Sequence, residues 1–156
     1  MAKKTVKIDF SEDRLAKLAD KAYNETKYIT ALRFAHQQLN KFGGNGDVYT
    51  RLADIYEAMG LHDSAIRYLF LYLDIAQDDE LPDIYEGLAV NYLNMGKDAQ
   101  SAFYYNRLID ADATITDDMK MEIAEAFSAE KQKNSDLSIP PSLPIIRRKL
   151  KWGLTR

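Results

Sequence analysis

Apolar residues recur along this chain at three- and four-residue spacings, in blocks separated by short polar or glycine-bearing breaks. The blocks predict seven helices, near residues 12–25, 27–41, 47–59, 62–76, 82–95, 98–111 and 117–131. Several boundaries carry suitable end chemistry. Ser11 ahead of Glu12-Asp13 and Thr116 ahead of Asp117-Asp118 are N-cap candidates, with acids in the first turn where the helix dipole favours them. Gly43, Gly44 and Gly46 break the chain after Phe42, and Pro82 suits a first helical position.

Two of the helical pairs repeat one another. Tyr49, Leu52-Ala53, Tyr56 and Gly60 recur as Tyr85, Leu88-Ala89, Tyr92 and Gly96, an offset of 36 residues. Each copy leads into a second helical pattern, Ala65-Ile66, Tyr68-Leu69, Tyr72-Leu73 and Ile75 in one, Ser101-Ala102, Tyr104-Tyr105, Leu108-Ile109 and Ala111 in the other. A weaker copy begins 34 residues upstream with Leu15, Leu18-Ala19 and Ala22, then Tyr28, Ala31-Leu32, Phe34-Ala35 and Leu39. Helix, turn, helix at this period is the mark of a helical repeat array. The small residues Ala53, Ala65, Ala89 and Ser101 fall where two helix axes must approach closely. Gly60 and Gly96 fall at helix C-termini, where positive φ is wanted.

This pattern resembles the tetratricopeptide repeat family, closely over residues 47–112 and more loosely over 12–42, where Leu15, Ala22 and Thr26 replace an aromatic residue, a tyrosine and the turn glycine. Ile123-Ala124 and Phe127 look like the first helix of an uncompleted fourth repeat. The resemblance implies an all-α right-handed solenoid of about three repeats plus a C-terminal capping helix. It divides the chain into an N-terminal arm (1–11), the repeat domain (12–131), a Pro/Ser linker (132–144) and a basic tail (145–156).

Composition narrows the function classes. The 156 residues are 46% hydrophobic and 29% charged, with no cysteine, so disulfide scaffolds and cysteine-based zinc or nucleophile chemistry are excluded. No apolar run approaches the ~20 residues that span a bilayer, the start of the chain lacks a secretory apolar stretch, and a cytoplasmic setting is expected. His36 and His62 have no metal-binding partner nearby in sequence, and Gly43 to Gly46 lacks the strand and the Lys-Ser/Thr of a phosphate loop. The chain therefore reads as non-catalytic, with no metal or cofactor. Charge is unevenly spread, with a balance of −8 over residues 1–131 and +5 over residues 132–156.

In proteins of the family, the first helix of each repeat lines a concave groove that binds a peptide or a helix. Carried over, the groove positions are Asp13, Ala16, Asp20, Tyr23 and Asn24, then Asp47, Thr50, Asp54, Glu57 and Ala58. The third repeat adds Asp83, Glu86, Val90, Leu93 and Asn94, and the capping helix adds Asp118, Met121 and Glu125, nine acids in all and no base. Such a face attracts basic segments and repels nucleic acid. Asp20, Asp54, Glu57, Asp83 and Glu86 are expected to pair with Lys or Arg of a partner, with Tyr23, Val90 and Leu93 making apolar contact. One subfamily clamps the acidic C-terminus of heat-shock chaperones with Lys and Asn in this groove. The matching positions here hold Ala16, Asp20, Arg51, Asp83 and Gly87, so that partner is not expected.

Two further features bear on partners. Phe70 and Leu71 stand where the repeat normally shows polar residues, which suggests a surface covered by another copy of the chain or by the tail. In the tail, Arg147, Arg148, Lys149 and Lys151 interleave with Ile146, Leu150, Trp152 and Leu154. That segment can form a basic amphipathic helix for a membrane surface or partner, dock in an acidic groove of its own or another copy, or remain a solvated end. The leading reading is a protein–protein interaction module. Its rivals are a homo-oligomeric assembly element built on helix four and the tail, and a peripheral membrane adaptor.

Overall fold

A computed structural model of the chain describes residues 9–112, 115–122, 124, 125 and 128. Six α-helices run in order, α1 (Glu12–Asn24), α2 (Tyr28–Phe42), α3 (Gly46–Ala58), α4 (His62–Leu73), α5 (Leu81–Asn94) and α6 (Asp98–Ala111). A 3-10 turn, Asp78–Glu80, precedes α5, and residues 117–122 are again helical. The linker and basic tail, together with Ile123 and Phe127, lie outside the described residues.

Local chemistry explains the boundaries. The Arg14 amide donates to Ser11 Oγ at 3.2 Å, and the Met119 amide donates to Thr116 Oγ1 at 3.3 Å. Asn45, within the glycine-rich break, caps α3 by accepting from the Val48 amide at 2.9 Å. The turns closing the three hairpins share one hydrogen-bond pattern. Lys27, Leu61 and Lys97 amides reach back to the carbonyls of Ala22, Tyr56 and Tyr92 at 2.8–2.9 Å. Thr26, Gly60 and Gly96 donate to Tyr23, Glu57 and Leu93. These paired bonds satisfy carbonyls that a helix end otherwise leaves open, and they require a positive φ at the middle residue.

Helix four is shorter than the periodicity implies. It ends at Leu73, not near residue 76, and Ile75 is exposed. Glu80 holds the chain in the 3-10 turn instead, accepting from Tyr72 Oη at 2.8 Å and from the Gln77 amide at 2.7 Å. Pro82 sits in the first turn of α5, whose first residue is Leu81.

α1 with α2, α3 with α4, and α5 with α6 form antiparallel-type hairpins whose neighbours in sequence are neighbours in space, with α2 on α3 and α4 on α5. Ala19, Ala31, Ala53, Ala65, Ala89 and Ser101, where the axes approach, are all fully buried or nearly so. Three apolar clusters follow one another along the stack. Val48, Leu52 and Ile55 join the first hairpin to α3, Ile66, Leu69, Ile84 and Leu88 join the second to α5, and Leu93, Tyr105, Leu108 and Ile115 close the third. The repeated tyrosines adopt the same geometry in both copies. Tyr56 stacks on Tyr68 with centroids 5.7 Å apart and planes 7° from parallel, and Tyr92 stacks on Tyr104 at 5.8 Å and 3°. They are packing residues of a repeating core.

Candidate partner-binding groove

The first helices of successive hairpins stand side by side and are tied by polar bridges. Arg51 of α3 reaches Asp20 of α1, with Nε to Oδ1 at 2.8 Å and Nη2 to Oδ2 at 3.3 Å. Asn91 of α5 donates from Nδ2 to Glu57 Oε2 of α3 at 2.9 Å. The same amide group donates to the Gly87 carbonyl at 2.8 Å, and its oxygen accepts from His62 Nδ1 at 2.8 Å. These bridges set α1, α3 and α5 in one layer.

Arg51 changes the electrostatics expected of that layer. Its guanidinium also donates to Asp47, with Nη1 to Oδ2 at 2.6 Å and Nη2 to Oδ1 at 3.1 Å, and its side chain is 11% exposed. Burial disfavours its charge, but the hydrogen bonds to Asp20 and Asp47 outweigh that and raise its pKa above the usual arginine range. Buried Gln38 completes the cluster, donating to Asp47 Oδ2 at 3.1 Å and accepting from Arg51 Nη1 at 3.2 Å. The expectation of acids without a base in this layer is thereby corrected. A forked cation satisfies both carboxylates bidentately, so Asp20 is engaged within the fold and not offered whole to a partner.

The remaining expected groove residues fall into three settings. Asp54, Asp83 and Glu86 are 7%, 6% and 4% exposed, a degree of burial unusual for carboxylates. Tyr23 is half-buried with its ring 5.7 Å from that of Tyr28, and Glu57 is half-buried against Asn91. Val90 is buried, and Leu93 is 0% exposed within the third apolar cluster beside Ala89, Tyr105 and Leu108. Leu93 therefore serves packing and not partner contact, because it is one helical turn from Ala89, on the flank where α5 meets α6.

On the outer layer, Phe70 is half-buried and meets Tyr104 of α6 edge-on, with centroids 6.2 Å apart and planes at 69°. Leu71 is 40% exposed. Arg147, Arg148, Lys149, Lys151 and Trp152 lie outside the described residues. Sequence reasoning missed Arg51, Gln38, Asn91 and His62 as organisers of the inner layer. The four-residue spacing of Asp47 and Arg51 was the one available signal. His36 lies on the outer layer 3.0 Å from Tyr56 Oη, and burial lowers its pKa.

Among the described residues, no three His, Asp or Glu side chains gather to hold a metal ion, and no helix is long and apolar enough to cross a membrane. The tetratricopeptide repeat profile matches residues 46–79, spanning α3, α4 and the turn that follows. No curated protein matches the sequence. Among solved structures, the chain is similar to the Sgt2 TPR domain from Aspergillus fumigatus, with a TM-score of 0.65 at 18% identity, covering 86% of this chain and 88% of that one. The repeated sequence, the repeated turns and tyrosine stacks, and the shared solenoid agree: the chain has the fold of a tetratricopeptide-repeat domain, and residues 46–79 match the repeat itself.

Proposed function

We propose that the chain is a protein–protein interaction module whose inner layer of helices binds a basic, extended or helical segment of another protein. The observation that carries this reading is that the first helices α3 and α5 carry Asp54, and Asp83 and Glu86, each less than a tenth exposed. Away from bulk water a carboxylate attracts a cation more strongly than at an open surface. Glu57 and Tyr23 extend the face, one adding charge and the other a ring for the aliphatic stem of a basic side chain. Asp20 contributes less, since Arg51 already engages it. The self-association reading has weaker support, because the Phe70 ring is taken up by Tyr104 within the chain.

The test is binding of a fluorescein-labelled Lys/Arg peptide to the full chain, followed by anisotropy at low and moderate salt. Neutralising two sites without changing shape, Asp54→Asn with Glu86→Gln, is expected to weaken binding at least about tenfold in low salt, about 1.4 kcal/mol. The loss shrinks as salt rises. Equal affinity for the wild-type and the double variant in low salt sinks the acidic-groove reading.

A further inference from the structure

The outer helices α2, α4 and α6 carry an exposed pattern that packing does not use. Among the described residues, every large apolar side chain left exposed within α1–α6 stands on one of these three. On each of them such a residue lies four positions from an exposed arginine, Ile29 with Arg33, Leu71 with Arg67 and Phe103 with Arg107. Residues four apart share a helical face, so each outer helix presents an apolar side chain and a cation side by side. Arg33, Arg67 and Phe103 also fall at equivalent places of the three hairpins, two residues after the buried Ala31, Ala65 and Ser101. At the third place the cation comes from the next turn, with the Arg107 guanidinium 4.9 Å from the centre of the Phe103 ring. That ring stands edge-on to Tyr104, and Tyr104 in turn meets Phe70 of α4.

Charge is ordered on this face. α2 contains no acid, and the acids of the other outer helices stand at their ends, Asp63 in the first turn of α4 and Asp74 just past it, Asp98 and Asp110 at the two ends of α6. Arg33, Arg67 and Arg107 lie between those ends, and none forms an ion pair with a carboxylate among the described residues. Arg51 of the inner layer, by contrast, is held by Asp20 and Asp47. A single exposed apolar residue is ordinary on any protein. A repeated set of them beside arginines that no acid engages has the composition of an interface centre, where Arg and aromatic rings are enriched.

We propose that the outer layer is a second docking face, which takes an acidic segment of a partner protein with apolar side chains between its carboxylates. The face prefers the charge opposite to that attributed to the inner layer, and it does not depend on the acidic-groove reading. Its cations stand on successive outer helices, about one helix diameter, ~10 Å, apart. A polyproline-like segment advances ~9 Å in three residues and returns every third side chain to the same side. Glu at every third position therefore meets one guanidinium per hairpin, as a forked pair where the geometry allows. Surface ion pairs alone are weak, and contact with Ile29, Leu71 and Phe103 supplies the remainder.

The test uses the full chain and a fluorescein-labelled peptide of repeated Glu-Leu-Pro triplets, beside an analogue with Gln for every Glu, both followed by anisotropy. The Glu probe is expected to bind at least about tenfold more tightly than the Gln probe in low salt, with the difference shrinking as salt rises. Arg33→Gln with Arg67→Gln and Arg107→Gln is expected to abolish that preference. Leu71→Ser with Phe103→Ser is expected to weaken both probes. All five side chains are exposed, so the helical content and the urea midpoint stay close to those of the wild type. Asp54→Asn with Glu86→Gln, in the inner layer, is expected to leave the preference for the Glu probe in place.

Equal affinity for the two probes overturns the proposal, as does a preference that survives the three arginine substitutions. A preference lost in the inner-layer variant overturns it as well, since the acidic segment then engages the other face. Binding of phosphatidylserine vesicles or of oligouridylate that needs the three arginines, without discrimination between the peptide probes, makes the face one for a membrane or for RNA and overturns it. Failure of the Lys/Arg peptide to bind bears on the inner layer alone.

Discussion

Thr26 occupies the turn position that glycine fills in the other two hairpins, and it keeps their conformation. Its φ is 59°, beside 75° at Gly60 and 74° at Gly96, and it is the only non-glycine residue with positive φ among those described. The turn is held by bonds from the Thr26 and Lys27 amides to Tyr23 and Ala22, so the flanking helices dictate the backbone against the residue's own preference. For a β-branched residue the left-handed region costs about 1–2 kcal/mol, part of which glycine would return through a freer unfolded chain. Thr26→Gly is expected to stabilise the protein by about 1 kcal/mol, read as a higher urea midpoint at unchanged slope. An unchanged midpoint would show that the turn carries no strain. The missing glycine was plain in the sequence, but the retained conformation was not, because the packed helices of the hairpin and the turn bonds between them impose it on a residue that disfavours it.

Between elements, the decisive contacts are polar bridges joining first helices. Arg51 holds α1 to α3, and Asn91 holds α3 to α5. Arg51→Ala leaves Asp20, Asp47 and the buried Gln38 oxygen without their shared donor. Since Asp20 and Asp47 remain partly open to water, the cost is about 1–3 kcal/mol, below that of breaking a fully buried pair. The same substitution removes a positive charge that engages Asp20 and Asp47, so binding of the labelled basic peptide is expected to strengthen while thermal stability falls. A variant that loses both stability and peptide affinity would place Arg51 in the recognition of the ligand, contrary to this account. The Asp47–Arg51 pair follows from helical spacing. The Asp20–Arg51 pair joins residues 31 apart and depends on how two hairpins stack.

At the scale of the molecule, the described hairpins pack mainly on their neighbours, and three apolar clusters follow one another along the stack. Stability in such an array is built from hairpins and the interfaces between them. Leu108 belongs to the last cluster, with Leu93, Tyr105 and Ile115. Leu108→Ala is expected to cost about 2–5 kcal/mol and to act locally. Amide hydrogen exchange should quicken in α5 and α6 while α1 and α2 keep their protection. Uniform quickening along the chain would mean that the solenoid opens as a single unit. The Tyr56–Tyr68 and Tyr92–Tyr104 stacks show the same modularity, equal in geometry because equal sequence meets equal surroundings.

The sequence by itself determined the helices, their turns and their repetition, since spacing of apolar residues, cap chemistry and glycine placement act within a few residues of the chain. It also determined the charge of the inner layer, though only in sum. Tertiary structure decided how that charge is spent, because burial and pairing depend on residues far apart in sequence. Asp20 is engaged by Arg51, Glu57 is tied to Asn91, Leu93 turns into the core, and Asp54, Asp83 and Glu86 are deeply buried. Helical periodicity assigns a residue to a side of its helix, but how far that side is covered follows from what packs against it.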